Sequence, residues 1–489
     1  MVIAENVIIR HNGVIIQCDS AIQKKDEGII EGFGHIYIYQ PDTFTLSGGE
    51  YLKYTEKTKT AVVTGKNVVL NDQQMTLLTT AIQYNMQDQV GFYTNGADIL
   101  NDKNTLKSKR GFYNRRTNVF HFKEAVKLTS PDYTMESDTL DYYAATKTAY
   151  FYGPTKIVSE ENTILCNYGW YNTQTEMAEF SKKATILSGS NTVSADSLFY
   201  DKKGGLGRGI GNLKLTDTTE HVEVYGQNGL YFQKSKETII STLPMAVKMD
   251  EKDTMYVMAD TFYFKNDSLK KILKAYYHTS LLQTEFQGRC DSLLYNFSDS
   301  SISLFYAPIL WNEKNQITGD TMFIHMKNKR IQSLTVLNKA FLASEVKSGA
   351  YNQISGKNMI NSFDSNKLKQ VLVDGNAEIV YYIRNNETDS AEFTGVNKER
   401  CSKLLILMDS GKVSGIRHYG QPEGKIYPVR DFPDGEKYLA ELNWKVNEKP
   451  VLQSFLERKK LRAVPIPKTL VKPAVKTKQK KKTKVKVKN

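Results

Sequence analysis

The phrase "VSADSLFYD" at residues 193–201 keeps returning along the chain. It stands as "MESDTLDYY" at 135–143, "VMADTFYFK" at 257–265, "GRCDSLLYN" at 288–296 and "ITGDTMFIH" at 317–325. With Asp196 as the reference, equivalent positions fall at Asp19, Glu50, Thr80, Lys109, Asp138, Asn167, Gln227, Asp260, Asp291, Asp320 and Lys357. Successive steps run from 29 to 37 residues, and a worn further copy follows as "FTGVNKE" at 393–399. A period near 30 held this long confines the chain to stacked architectures, in which each unit buries its apolar face against its neighbours.

The residue before each reference position is always small: Cys18, Gly49, Thr79, Ser108, Ser137, Cys166, Ala195, Gly226, Ala259, Cys290, Gly319 and Gly356. Such a column is limited by space, as where two backbone layers approach closely. Val193 and Ala195 share one parity, whereas Leu198 and Tyr200 share the other. If both pairs face inward, the strand bends or bulges at Asp196–Ser197, where Asp, Asn and Ser bond nearby backbone groups readily. A polar turn and a second alternating stretch complete each unit, as in "NVFHFKEAVKL" and "MAEFSKKATIL". No helical period of 3.6 intervenes, so the unit is strand, bend, turn, strand. At two strands of about 4.8 Å per unit, the stack is on the order of 100 Å long.

Forty per cent apolar residues suffice for a large core. The formal charge of +13 suggests a nucleic-acid binder until it is located. From Arg458 to Asn489 there are 14 Lys and Arg and no acid, leaving 52 basic against 53 acidic residues elsewhere. The basic signal therefore belongs to a lysine-rich tail, read as disordered. Either it is a solvated terminus or it is a tether to anionic phosphates. Without interleaved aromatics it has no specific nucleic-acid site.

Catalytic patterns are missing. Cys18, Cys166 and Cys290 occupy the small column in different layers, beyond disulfide reach, and read as buried small residues together with Cys401. The seven histidines have no metal-ligand spacing, and no metal or cofactor is expected. "GGLGRGIG" at 204–211 joins strand to strand and reads as a turn rather than a phosphate loop. One carboxylate per layer, often replaced, makes a poor calcium ladder or acid–base pair.

The units of the form V-x-A-D-S-L-x-Y … G-x-V-x-L resemble the OstA-like (organic solvent tolerance A) family, which includes the LptA bridge proteins of lipopolysaccharide transport. The likeness is clearest in "GKNVVLNDQQMTLLTTAIQYN", "YTMESDTLDYYAATKTAYFYGPTKIV" and "NTVSADSLFYDKKGGLGRGIGNLKL", and it covers roughly residues 1–385. The stretch "GIRHYGQPEGKIYPVRDFPDGEKYLAELNWKVNEKP" is similar to the C-terminal region of long members from Bacteroidota-type bacteria. The resemblance implies an all-β, elongated β-jellyroll, a taco-like folded sheet with an apolar interior. It further implies a non-enzymatic periplasmic protein that shields lipopolysaccharide acyl chains and carries them toward the outer membrane. Its expected partners are lipopolysaccharide, and other transport components or a second copy docked through edge strands; no membrane-spanning segment is expected.

The expected organisation is OstA-like repeats over 1–230, further repeats over 231–385 that form either the same jellyroll or a second one, a degenerate β region over 386–457, and the tail over 458–489. The chain begins inside a repeat and shows no secretory signal, so Met1 is expected to be an internal or trimmed start. Candidate groove residues from the inward columns are Leu140, Val193, Leu198, Val257, Phe262, Leu293 and Met322. The same pattern also describes a filled core, so a structural β-solenoid scaffold or adhesin remains the alternative. A carbohydrate-cleaving β-helix would need a cluster of carboxylates with Arg or Lys on adjacent layers, which the sequence does not concentrate.

Overall fold

Alternating apolar residues on strands that follow one another through short turns leave the chain one economical arrangement, a meander in which each strand pairs with the next. The computed structural model describes residues 2–461 apart from 12, 73–74, 102, 250–252, 268–270, 285, 328–329, 365–366, 385–392 and 410–411. These residues form one antiparallel sheet of 34 strands. The strand Asn191–Asp201, for example, pairs with Met177–Ser188 on one side and Leu206–Asp217 on the other. The sheet folds along its length into two facing walls, giving the elongated jellyroll that the resemblance implies.

The fold line follows the reference column. Register shifts occur there in strand after strand, between Ser181 and Ala184 and between Ser194 and Ser197 among others. The extra residues lie mainly on every second strand, as neighbouring left-handed pairs such as Lys182–Lys183, Gly211–Asn212 and Asn338–Lys339. Two such residues turn a strand sharply enough to pass from one wall to the other. The reference side chain then braces the corner beside it. Asp196 Oδ2 accepts from Asn212 Nδ2 at 2.9 Å, and Gln227 Oε1 accepts the Asn212 backbone N–H at 3.1 Å. His35 and His278 reach Asp19 and Asp260 in the same way, each at 2.8 Å. A Cβ on Gly211 would collide with the Asp196 carboxylate where it now sits, so glycine at this corner leaves room for the bracing side chain and adopts the left-handed angle without strain.

Inside the corner, the small column has no room to spare. A Cβ on Gly226 would run into Ile240, one on Gly319 into Val336, and one on Gly356 into Val373. All four cysteines are free and buried. Burial pushes the thiols of Cys166 and Cys290 up, to about 11 and about 12.

Beyond Pro428 the chain stops pairing as strand. Residues 429–461 run back over the outside of one wall through three short 3-10 turns and a helix, α1 (Leu452–Leu461). The segment crosses the strands in reverse order. Tyr438 Oη donates to Gly349 O at 2.8 Å, Arg289 pairs with Glu448 at 3.2 Å, and Phe455, fully buried, packs with Tyr225, Met245 and Val247. Two outward glutamines hold its backbone. Gln353 takes the Leu439 N–H and gives to Lys437 O, and Gln316 takes the Lys445 N–H and gives to Asn443 O, at 2.7–2.8 Å.

This strap departs from two sequence expectations. Among the described residues of 386–457, strand extends only as far as Pro428. Residues 458–461, assigned to the tail, instead complete α1, and Arg458 donates to Pro244 O and Ala259 O at 3.1 and 2.7 Å. Phe455 and Arg458 anchor that helix end, which a count of charges does not register. The remainder of the tail lies outside the described residues.

A candidate apolar cavity between the walls

Strand pairing joins the inward residues into two rows that run along the molecule. One passes through Phe122, Leu140, Phe151, Gly169, Phe180, Leu198 and Gly209. It continues through Gly229, Ile240, Phe262, Ala275, Leu293, Leu304 and Met322. The facing row includes Ile164, Ile186, Val193, Leu215, Val224, Ala246 and Val257. The seven residues chosen from the sequence thus fall on two rows: Leu140, Leu198, Phe262, Leu293 and Met322 on the first, Val193 and Val257 on the second. All but Val193 are buried, and Val193 packs against the same core. From Leu140 onward the first row is buried throughout, whereas the facing row is half-buried at Ile157, Ile164, Ile186, Val193 and Leu215 and buried again from Val224.

Nearer the N-terminus a cavity of about 280 Å3 lies between the walls, lined by residues of the span 14–122 and by none of the seven. Its sides are Ala61, Val63 and Ile82 on one wall and Ile38, Leu46, Leu70, Leu77 and Ile99 on the other. The cause is side-chain size. Val63 and Ile82 stand where later layers carry Phe151, Phe180 and Phe262, so the same backbone spacing leaves space unfilled. Phe120 and Phe122 wall the far side, their rings 6.2 Å apart.

Two lips frame the mouth. One carries a row of aromatics set against small partners, Tyr84 and Tyr113 against Gly91, then Tyr142 and Tyr171 against Ala149. The other carries Thr43, Phe44, Asp72 and Met75. They meet through Phe44 and Tyr84, ring centroids 6.4 Å apart, and through Arg115, whose Nη2 donates to Thr43 Oγ1 at 3.4 Å. Farther along, Lys271 bridges to Glu220 at 3.1 Å and Lys248 lies 5.7 Å from the Tyr295 ring. Inside the cavity the Tyr93 hydroxyl pairs with Ser108 at 2.5 Å, and burial pushes it up to about 12.

The rim is polar, with Asp42, Asp72, Arg115 and Asn118, and the interior is apolar. Among the described residues no three His, Cys, Asp or Glu side chains are grouped to hold a metal ion. The arrangement suits an amphiphile, with its chain inside and its polar end at the lips.

Residues 1–138 and 137–196 match the family described as OstA-like protein. Over residues 1–196 this chain is similar to that family. The cavity lies wholly within that OstA-like segment, whereas the strap lies outside it. No curated protein matches the chain. Among solved structures, LptH of Pseudomonas aeruginosa, the LptA-homologous periplasmic component of its lipopolysaccharide transport device, is 14% identical. That likeness covers 93% of LptH and 24% of this chain at a TM-score of 0.22. The WD40 domain of SCAP from fission yeast is 8% identical, covering 87% of that domain and 77% of this chain at a TM-score of 0.11. The fold assignment rests on the ladders themselves. No helix among the described residues is long and apolar enough to cross a membrane.

The sequence reading missed the cavity because its repeat pattern is the same in hollow and filled layers. The available signal was residue volume along one column: Val63 and Ile82 against Phe151, Phe180 and Phe262.

Proposed function

We propose that the protein is a non-enzymatic lipid-binding member of an outer-membrane assembly route, working in the periplasm and shielding acyl chains of lipopolysaccharide. The observation that carries this reading is the apolar cavity with a polar rim inside the OstA-like segment. Burying each methylene of a chain there contributes about 0.8 kcal/mol, and no covalent step is needed. The buried rows from Val224 onward favour a second reading for the C-terminal part of the sheet, a rigid scaffold that holds the lipid-binding part at a distance.

The test is photo-crosslinking. A benzophenone side chain replaces Phe44 or Tyr84 at the cavity, Phe262 in the filled core, or exposed Lys202 as control, and each protein is irradiated with lipopolysaccharide. Adducts are expected at 44 and 84 and at neither 262 nor 202. Folded variants that give no adduct at 44 or 84 would rule the lipid reading out and leave the scaffold.

A further inference from the structure

The cavity ends. Beyond Phe122 the first row continues into Leu140, then Phe151, which has no exposed surface, and then Gly169. Phe151 fills the place left at Gly169, where a Cβ would strike its ring, and Phe180 follows at 6.2 Å. Met135, Leu140 and Phe151, all buried, therefore occupy the lumen next to Phe122, and the hollow part has an opening at the lips and a floor at Phe122.

A floor and a fixed volume set a length. An engineered cavity of about 150 Å3 accepts benzene, which has six carbons, so about 280 Å3 takes roughly eleven. We propose that the cavity holds one linear acyl chain of about eleven carbons, its methyl end against Phe122 and its head at Arg115, and that Phe122 is the length-determining residue. The proposal rests on the lipid reading above and narrows it to a closed measure for a single chain. The head that fits carries hydroxyls, since Arg115 donates while Asp42 and Asp72 on the same rim accept.

Binding of 1-monoacylglycerols of eight to sixteen carbons, each below its micelle concentration, measured by titration calorimetry on the full chain, tests this. Affinity is expected to rise about fourfold per added methylene up to about eleven carbons and then to level off. Phe122→Ala moves the break longer by about four carbons, and Phe122→Leu, the milder change, by about one. Val63→Phe, which fills the cavity from its side, weakens every chain at least tenfold, an order-of-magnitude expectation. A rise that continues through sixteen carbons in the unaltered protein overturns the closed measure and leaves the lipid reading standing. An unmoved break in both Phe122 variants overturns the role of Phe122. No binding of any chain length overturns the lipid reading and the measure together.

Discussion

The two ends of the sheet obey one repeat and differ in what covers and fills them. In the N-terminal part the outward face is bare: Leu78, Leu100, Val158, Leu165 and Leu187 are each more than a third exposed. On the same side of the same wall in the C-terminal part, Trp311, Gln316, Ala343, Gln353 and Val380 are almost wholly buried under the strap. The hollow segment lies within the bare part, and the strapped part has its lumen filled by Phe262, Leu304, Met322 and Met359. Packing on both faces removes the freedom of a sheet to flex, whereas a wall backed by water can part from its partner. One end is built to hold shape and the other retains room for a guest.

Removing the strap should have the largest effect. Ending the chain after Pro428 strips Trp311, Phe341 and Tyr382 of their cover and leaves Gln316 and Gln353 without the backbone they bond. Each amide so abandoned costs about 1–3 kcal/mol before the apolar area is counted. The cysteines report the two ends separately. Alkylation of Cys290 and Cys401 should quicken by roughly two orders of magnitude or more, while that of Cys18 and Cys166 stays near its original rate. Equal acceleration at all four would mean that the two ends share one cooperative unit, and the contrast would fail.

Much of the fold was legible because the repeat is strict. The small column at Cys18, Ala195 and Gly226 located the fold line, and parity around Asp196 called for a corner there. The extra residues came on the neighbouring strand, at Lys182–Lys183 and Gly211–Asn212, since one bulge serves a pair of strands and the pattern does not say which. The strap escaped for a different reason. Its grip lies in contacts more than 80 residues apart, such as Gln353 with Leu439. A trace of it was visible in "FLASEV" and "EIVYYI", which are apolar at successive positions and so belong to a wall covered on both faces.

The hollow end should show its own signature in alkali. Tyr93 is buried and pushed up to about 12, above the value near 10 of an exposed phenol. The folded state therefore holds the proton more tightly than the unfolded one. The stability this gives is whole below about pH 10 and is lost as pH rises toward 12, a change on the order of 2–3 kcal/mol. Tyr93→Phe removes that loss. Denaturant unfolding of the two proteins at pH 8 and pH 11 should differ mainly at the higher pH, where the variant becomes the more stable. An identical pH dependence would show that the phenol is solvated and the cavity wall already open.

The finest comparison uses one outward face at two places. Val380 has no exposed surface beneath the strap, and Leu187 is 38% exposed on the bare wall. Threonine is β-branched and suits a strand, so propensity is served at both positions. Under the strap the new hydroxyl is buried among Phe341, Tyr382 and Val396, and Val380→Thr should cost about 1–3 kcal/mol. On the bare wall the hydroxyl meets water, and Leu187→Thr should stay within about 0.5 kcal/mol of the unaltered protein. Its neighbours across the ladder are already Thr163 and Thr192, so the change extends a row the chain has begun. A cost at Leu187 equal to that at Val380 would mean that the N-terminal wall is covered in solution too, by an occupant whose footprint the same substitution could then be used to map.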